Sequence, residues 1–112
     1  MSVINTSLDS WLWEMGACIL VECKNWEEKV GIQVIRGMAH ISELKGNKTV
    51  FLFASNGITR DVEKEIIRLT TNGKYILFFT KDELKRLKDE EDCYELLISK
   101  WWELNDRSEI LI

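Results

Sequence analysis

Ile19-Leu20-Val21-Glu22-Cys23-Lys24-Asn25-Trp26 is the stretch that decides the reading of this chain. Ala17 to Cys23 is a dense apolar run with alternation at its end, which predicts a strand. On a strand, the period of two puts Glu22 and Lys24 on one face and Cys23 on the other. Three further acid-x-Lys triplets occur, Glu27/Lys29, Glu43/Lys45 and Glu83/Lys85. They fall in predicted helices, where residues two apart face different ways. Context rather than pattern sets Glu22/Lys24 apart.

Upstream, Leu8 to Trp13 alternates loosely and predicts a second strand, with Glu14-Met15-Gly16-Ala17 as the turn between the two. Such a hairpin pairs Trp13 with Cys18 and, counting outward, sets Asp9 opposite Glu22. Directly opposed residues share a face, with β-carbons ~5 Å apart. Two opposed carboxylates repel unless a positive charge lies between them. Asp9, Glu22 and the backbone carbonyl of Cys23 thus offer oxygen ligands for Mg²⁺ or Mn²⁺, waters completing the shell. Lys24 lies one pleat further on the same face, within reach of a metal-bound water or a scissile phosphate. These are the parts of metal-assisted phosphodiester hydrolysis. The inference depends on register, since a slip of one residue turns Asp9 to the opposite face.

Downstream, Asn25 with Glu28 three residues on predicts a helix cap, followed by Val30, Val34, Met38 and Ile41 at helical spacing and a stop at Gly46-Asn47. Lys48 to Ala54 reads as a buried strand and Ser55-Asn56-Gly57 as the loop after it. Thr59 opens a second helix with Val62, Ile66 and Leu69 on one face, ending at Asn72-Gly73. Tyr75 to Phe79 is another strand, and Thr80 with Glu83 forms a capping box for a third helix through Leu87. Asp89 to Asp92 reads as a solvated acidic loop, and Cys93 to Leu104 as a fourth helix with Tyr94, Leu97, Ile98 and Trp101 on one stripe. The expected fold is α/β: a mixed sheet, a hairpin and then parallel strands, flanked by helices.

The 112 residues suit one domain, 1–112, with 46% apolar and 30% charged residues. No apolar run approaches ~18 residues, so no membrane partner is expected. No signal peptide is visible, and three cysteines without a CxxC pair point to a reducing, cytoplasmic setting. The net charge of −4 lacks the basic excess of a free-standing nucleic-acid-binding domain. Grip on nucleic acid would then come from local groups, a bound cation or a second subunit. Lys29, Arg36, Arg60 and Lys64 are candidate phosphate contacts. Asn25 reads as a helix cap and, second, a nucleic-acid contact; Trp26 either stacks on a base or seals the following helix onto the sheet. Cys23 reads as a core thiol and His40 as a helix-surface or semi-buried residue. Trp101 and Trp102 cannot both face one core, and an exposed tryptophan suits a homodimer.

The string from Ile19 to Trp26, with Asp9 thirteen residues before Glu22, resembles the metal-binding core of the PD-(D/E)xK restriction-endonuclease-like nucleases. It is most similar to the Mrr-type branch, and VFLFASNGITRDVEKE (50–65) and YILFFTKDELKRL (75–87) resemble that branch's later elements. The resemblance spans about residues 7 to 87. It implies a Mg²⁺-dependent DNA endonuclease in which Asp9 and Glu22 hold the metal, Lys24 is the catalytic lysine and Gln33 an accessory polar residue. Cores of that group begin with a helix and a further strand, which the residues before Ser7 do not supply. The resemblance therefore implies a fragment or short form, or a core completed by a homodimer or an N-terminal partner segment. A second class stands beside it: a catalytically inactive nucleic-acid-binding or assembly module of the same fold within a larger defence or repair protein. Divalent-metal binding separates the two.

Overall fold

A computed structural model describes residues 2–5 and 14–111. Strand β1 (Ser2–Ile4) precedes β2 (Cys18–Lys24), and helix α1 (Ile32–Lys45) leads to β3 (Thr49–Ala54). Helix α2 (Arg60–Thr71) leads to β4 (Tyr75–Phe79), followed by α3 (Lys81–Lys85) and α4 (Glu90–Leu111). The four strands form one sheet in the order β1-β2-β3-β4. β1 runs antiparallel to β2, while β2, β3 and β4 are parallel to one another. A parallel pair needs a crossover, and α1 and α2 supply the two.

The strand nearest β2 on its outer edge is not the expected one. Cys18 pairs with Ile4, Ile19 with Val3 and Leu20 with Ser2. A strand has two hydrogen-bonding edges, and at Ile19 the other is taken by Thr49 of β3. The expected strand from Leu8 to Trp13, Asp9 included, lies outside the described residues. Where a tight turn was expected, Glu14 and Met15 form a single helical turn. Met15 is fully buried, and its carbonyl accepts the hydroxyl of buried Thr49 at 2.7 Å.

The deepest burial follows the period of two. Leu20, Val50, Leu52, Ala54 and Ile76 are buried on one face of the sheet, with Ile35 and Met38 of α1 and Val62 and Ile66 of α2 in the same core. On the alternate face Ile19, Thr49, Leu77 and Phe79 are also buried, while Val21, Phe51 and Phe53 are half-buried. Buried polar groups donate to backbone carbonyls: Ser42 Oγ to that of Asn47, Thr70 Oγ1 to that of Ile66, and Asn47 Nδ2 to that of Cys18, 29 residues away.

α1 starts later than the spacing suggested. Its N-cap is Gly31, not Asn25, because residues 25–31 are used as a loop. Val30, expected on the helix, is instead buried in a parallel bridge to Ile58. The buried stripe is therefore Ile35, Met38 and Ser42, and Ile41 is exposed. α4 starts earlier, at Glu90. The acidic run from Asp89 caps it rather than forming a loop: Asp92 N donates to Asp89 Oδ1 and Lys88 N to Asp92 Oδ2, both at 2.9 Å. Carboxylates suit that end of the helix dipole. Trp101 is buried against Tyr75, ring centroids 4.8 Å apart, and Trp102 is half-exposed.

The capping box at α3 is present, and it also ties α3 to α4. Glu83 accepts from Thr80 N at 3.0 Å and from Lys100 Nζ at 2.7 Å. Burial pushes the Glu83 carboxyl up, but the Lys100 hydrogen bond, the Thr80 contacts and the lysine charge outweigh it, so the pKa is lowered. A lowered folded pKa gives stability that is full above the unfolded value and is lost as pH falls through the folded one. Glu83→Gln keeps the cap, since glutamine also serves at that position, but removes the charge. It is expected to cost about 1 kcal/mol near pH 7. The gap to wild type should close as pH drops below about 4.3, the ordinary glutamate value. Thermal unfolding of both proteins between pH 3 and 7 checks this.

Candidate active site

The site lies at the carboxyl ends of β2, β3 and β4, where ligands gather in open parallel sheets. β2 carries Glu22 and Lys24 to that end on one face, in register with Leu52 and Ala54 of β3. That is the face of buried Leu20. Two residues beyond it the cover thins, and the Glu22 and Lys24 side chains are 30% and 29% exposed. Lys24 Nζ stands 4.0 Å from Glu22 Oε2 and 5.5 Å from the centroid of the Trp26 ring. An ion pair this long and this wet contributes about 0–1 kcal/mol, so the two charges are not kept together for stability. Both remain open to a third group.

The backbone adds a further donor. Carbonyls alternate between the two edges of a strand. That of Lys24 points to β3, where it accepts from Ser55 N, and that of Ala17 points to the β1 side, where it accepts from Asn5 N. By this parity the Cys23 carbonyl points to the outer edge of β2. β1 reaches only to Ser2 opposite Leu20, so Cys23 lies three residues past the last described pair. A carboxylate and an adjacent outward carbonyl are hard oxygen donors of the kind Mg²⁺ and Mn²⁺ take. These residues fit a divalent ion as part of its shell. Among the described residues no cluster of three acidic, histidine or cysteine side chains forms, and Asp9 lies outside them.

Two loops lock this end of the sheet. Ser55 Oγ donates to Asn25 Oδ1 at 2.6 Å and Asn56 Nδ2 to the Trp26 carbonyl at 2.5 Å. Val30 N donates to the Gly57 carbonyl and Thr59 N to that of Val30. Gly57 has φ 82°, a left-handed conformation that favours glycine, and this lets the 55–59 loop turn back against 25–31. The Ser55-Asn56-Gly57 run was legible as a loop, but nothing local showed that it would clasp the residues after Lys24.

The other expected site residues fall as follows. Trp26 is 40% exposed beside Lys24 rather than sealing α1 to the sheet. Asn25 is held by Ser55 and caps no helix. Cys23 is exposed and not a core thiol, because β2 runs on past the end of β1. Gln33 stands exposed in the first turn of α1, and Lys29 is exposed in the preceding loop. Arg60 and Lys64 are exposed on α2 and His40 on α1. Arg36 is exposed on α1 but lies near the acids of α2. The Asp61 carboxyl is lowered first by its hydrogen bond from Thr59 and that of Glu65 first by Arg68, with the Arg36 charge a lesser contribution to each.

An acid, a lysine and an outward carbonyl thus meet at one strand end of a small α/β sheet. A family model described as Mrr_cat, restriction endonuclease, matches residues 7–88, well over half of the chain. The chain belongs to that family, whose fold and nuclease character agree with the α/β sheet and the site on it. A comparison with curated proteins gives no match. No described helix is long and apolar enough to cross a membrane.

Proposed function

We propose that this chain is a Mg²⁺- or Mn²⁺-dependent DNA endonuclease domain that hydrolyses phosphodiester bonds at the end of β2. The observation that carries this reading is the grouping of Glu22, Lys24 and the outward Cys23 carbonyl at an exposed strand end, in a chain of the restriction endonuclease family. Glu22 and the Cys23 carbonyl, with Asp9, would hold the cation. When bound, the cation supplies positive charge at the phosphate and an acidified water. The Lys24 ammonium already stands 4.0 Å from Glu22 Oε2. It orients the attacking water and stabilises the charge that develops on the phosphate oxygens. Trp26 flanks the lysine and limits its rotamers. Gln33, Lys29, Arg36 and Arg60 are accessory contacts to DNA in this reading, and the setting is cytoplasmic, with a homodimer as the assembly.

Calorimetric titration with Mn²⁺ tests the centre of the proposal. Wild type should bind the ion, and the pair Asp9→Asn/Glu22→Gln should lose that binding while unfolding at nearly the same temperature. An absence of heat in wild type, or binding retained in the double variant, overturns the metal site as drawn.

A further inference from the structure

The reverse side of the same strand end holds a second feature. Cys23 and Asn25, interleaved with Glu22 and Lys24, face an open groove of about 420 Å³. Phe53 and Phe79 form its floor, stacked with ring centroids 5.3 Å apart and planes 24° from parallel. Asn25 and Ser55 form one wall, and Lys81 and Lys85, one turn apart on α3, form the other. Asn25 gives its oxygen to Ser55, so its amide nitrogen is the group it offers. Lys81 N donates to the Ser55 carbonyl, and Glu83 anchors α3 to α4, so both walls are fixed.

We infer that this groove takes an unpaired nucleotide of the DNA strand, held on the sheet face opposite Lys24. Half-buried Phe53, backed by buried Phe79, offers an aromatic surface to a base; a single amide donor meets acceptors common to base edges, and two lysines match the flanking phosphates. The groove volume is in the range of small-ligand sites. A base within a duplex cannot enter without leaving its stack, so the groove favours single-stranded, frayed or flapped DNA over blunt duplex. The chain's net charge of −4 agrees with a grip on a few phosphates rather than along a helix. The inference rests on the nuclease reading for the identity of the strand, but it can be read without cleavage.

The test is binding of a labelled 12-nucleotide single strand, and of the same sequence as duplex, in EDTA across a salt series. The single strand should bind at least about tenfold more tightly, as stacking of one base on an aromatic side chain would give. Phe53→Leu should remove about that factor. Lys81→Gln/Lys85→Gln, on exposed positions that leave the fold intact, should make the slope of log affinity against log salt shallower by about 1.4, two phosphates on a single strand. Equal affinity for the two forms, or an unchanged slope in the double lysine variant, overturns the groove. Should the protein cleave no DNA and yet show these effects, the nuclease reading falls and the groove stands. Cleavage that requires Lys24 with binding unmoved by the groove variants removes the groove alone.

Discussion

Lys24→Ala is expected to lower DNA cleavage by about a thousandfold, the upper end of what loss of one positioned charge-stabilising group costs. The side chain is 29% exposed and its partner Glu22 is 4.0 Å away, so little folding energy leaves with it. Thermal unfolding should shift by no more than surface substitutions usually give, about 0.5 kcal/mol. Single-turnover cleavage of a plasmid substrate at saturating Mn²⁺ separates the chemical step from metal binding. Because Lys24 is not among the ligands, its loss should leave Mn²⁺ affinity nearly unchanged, in contrast to Glu22→Gln. Cleavage that persists at wild-type rate in a folded Lys24→Ala protein would remove the lysine from the chemistry.

The largest effect on stability should come from the middle of the sheet. Leu52 is fully buried on β3, between Glu22 of β2 and Phe78 of β4. Leu52→Ala removes buried methyl groups and leaves a cavity that strands paired on both sides cannot collapse to fill, for about 3 kcal/mol. That is a large share of the 5–15 kcal/mol typical of a domain. The urea midpoint should fall with an unchanged slope, because the same surface is exposed on unfolding. The loss should also reach the site, since Glu22 is the residue registered against Leu52. A midpoint within error of wild type would mean that Leu52 does not lie in a packed core.

Much of the architecture was legible in local pattern. Tyr75 to Phe79 and Thr49 to Ala54 are strands because their apolar runs are short and bounded by Asn72-Gly73, Ser55-Asn56-Gly57 and Thr80. The capping box of Thr80 and Glu83 is a fixed-spacing contact that needs no tertiary partner. The same is true of the Gly46 stop, which takes a left-handed conformation at the end of α1. Glu22 and Lys24 on one face follow from the pleat, whatever lies beside the strand.

What lies beside it was not legible. Asn25 with Glu28 is a sound capping pattern, yet the bridge from Val30 to Ile58 draws those residues into a loop and α1 begins at Ile32. The outer edge of β2 goes to Ser2–Ile4, a pairing between segments distant in sequence that alternation within one segment does not encode. Cys23, expected in the core, is exposed, and of the two readings of Trp26 the covered one fails: the sheet's cover ends before β2 does. By itself, then, the sequence determined the α/β order, most element ends and the shared face of Glu22 and Lys24, all consequences of backbone period and local capping. Only the tertiary structure decided the partner of β2, the clasp between residues 25–31 and 55–59, and the groove opposite the site. Each of those depends on which distant segments bury one another, and the energy of that choice is not stored in any one stretch of chain.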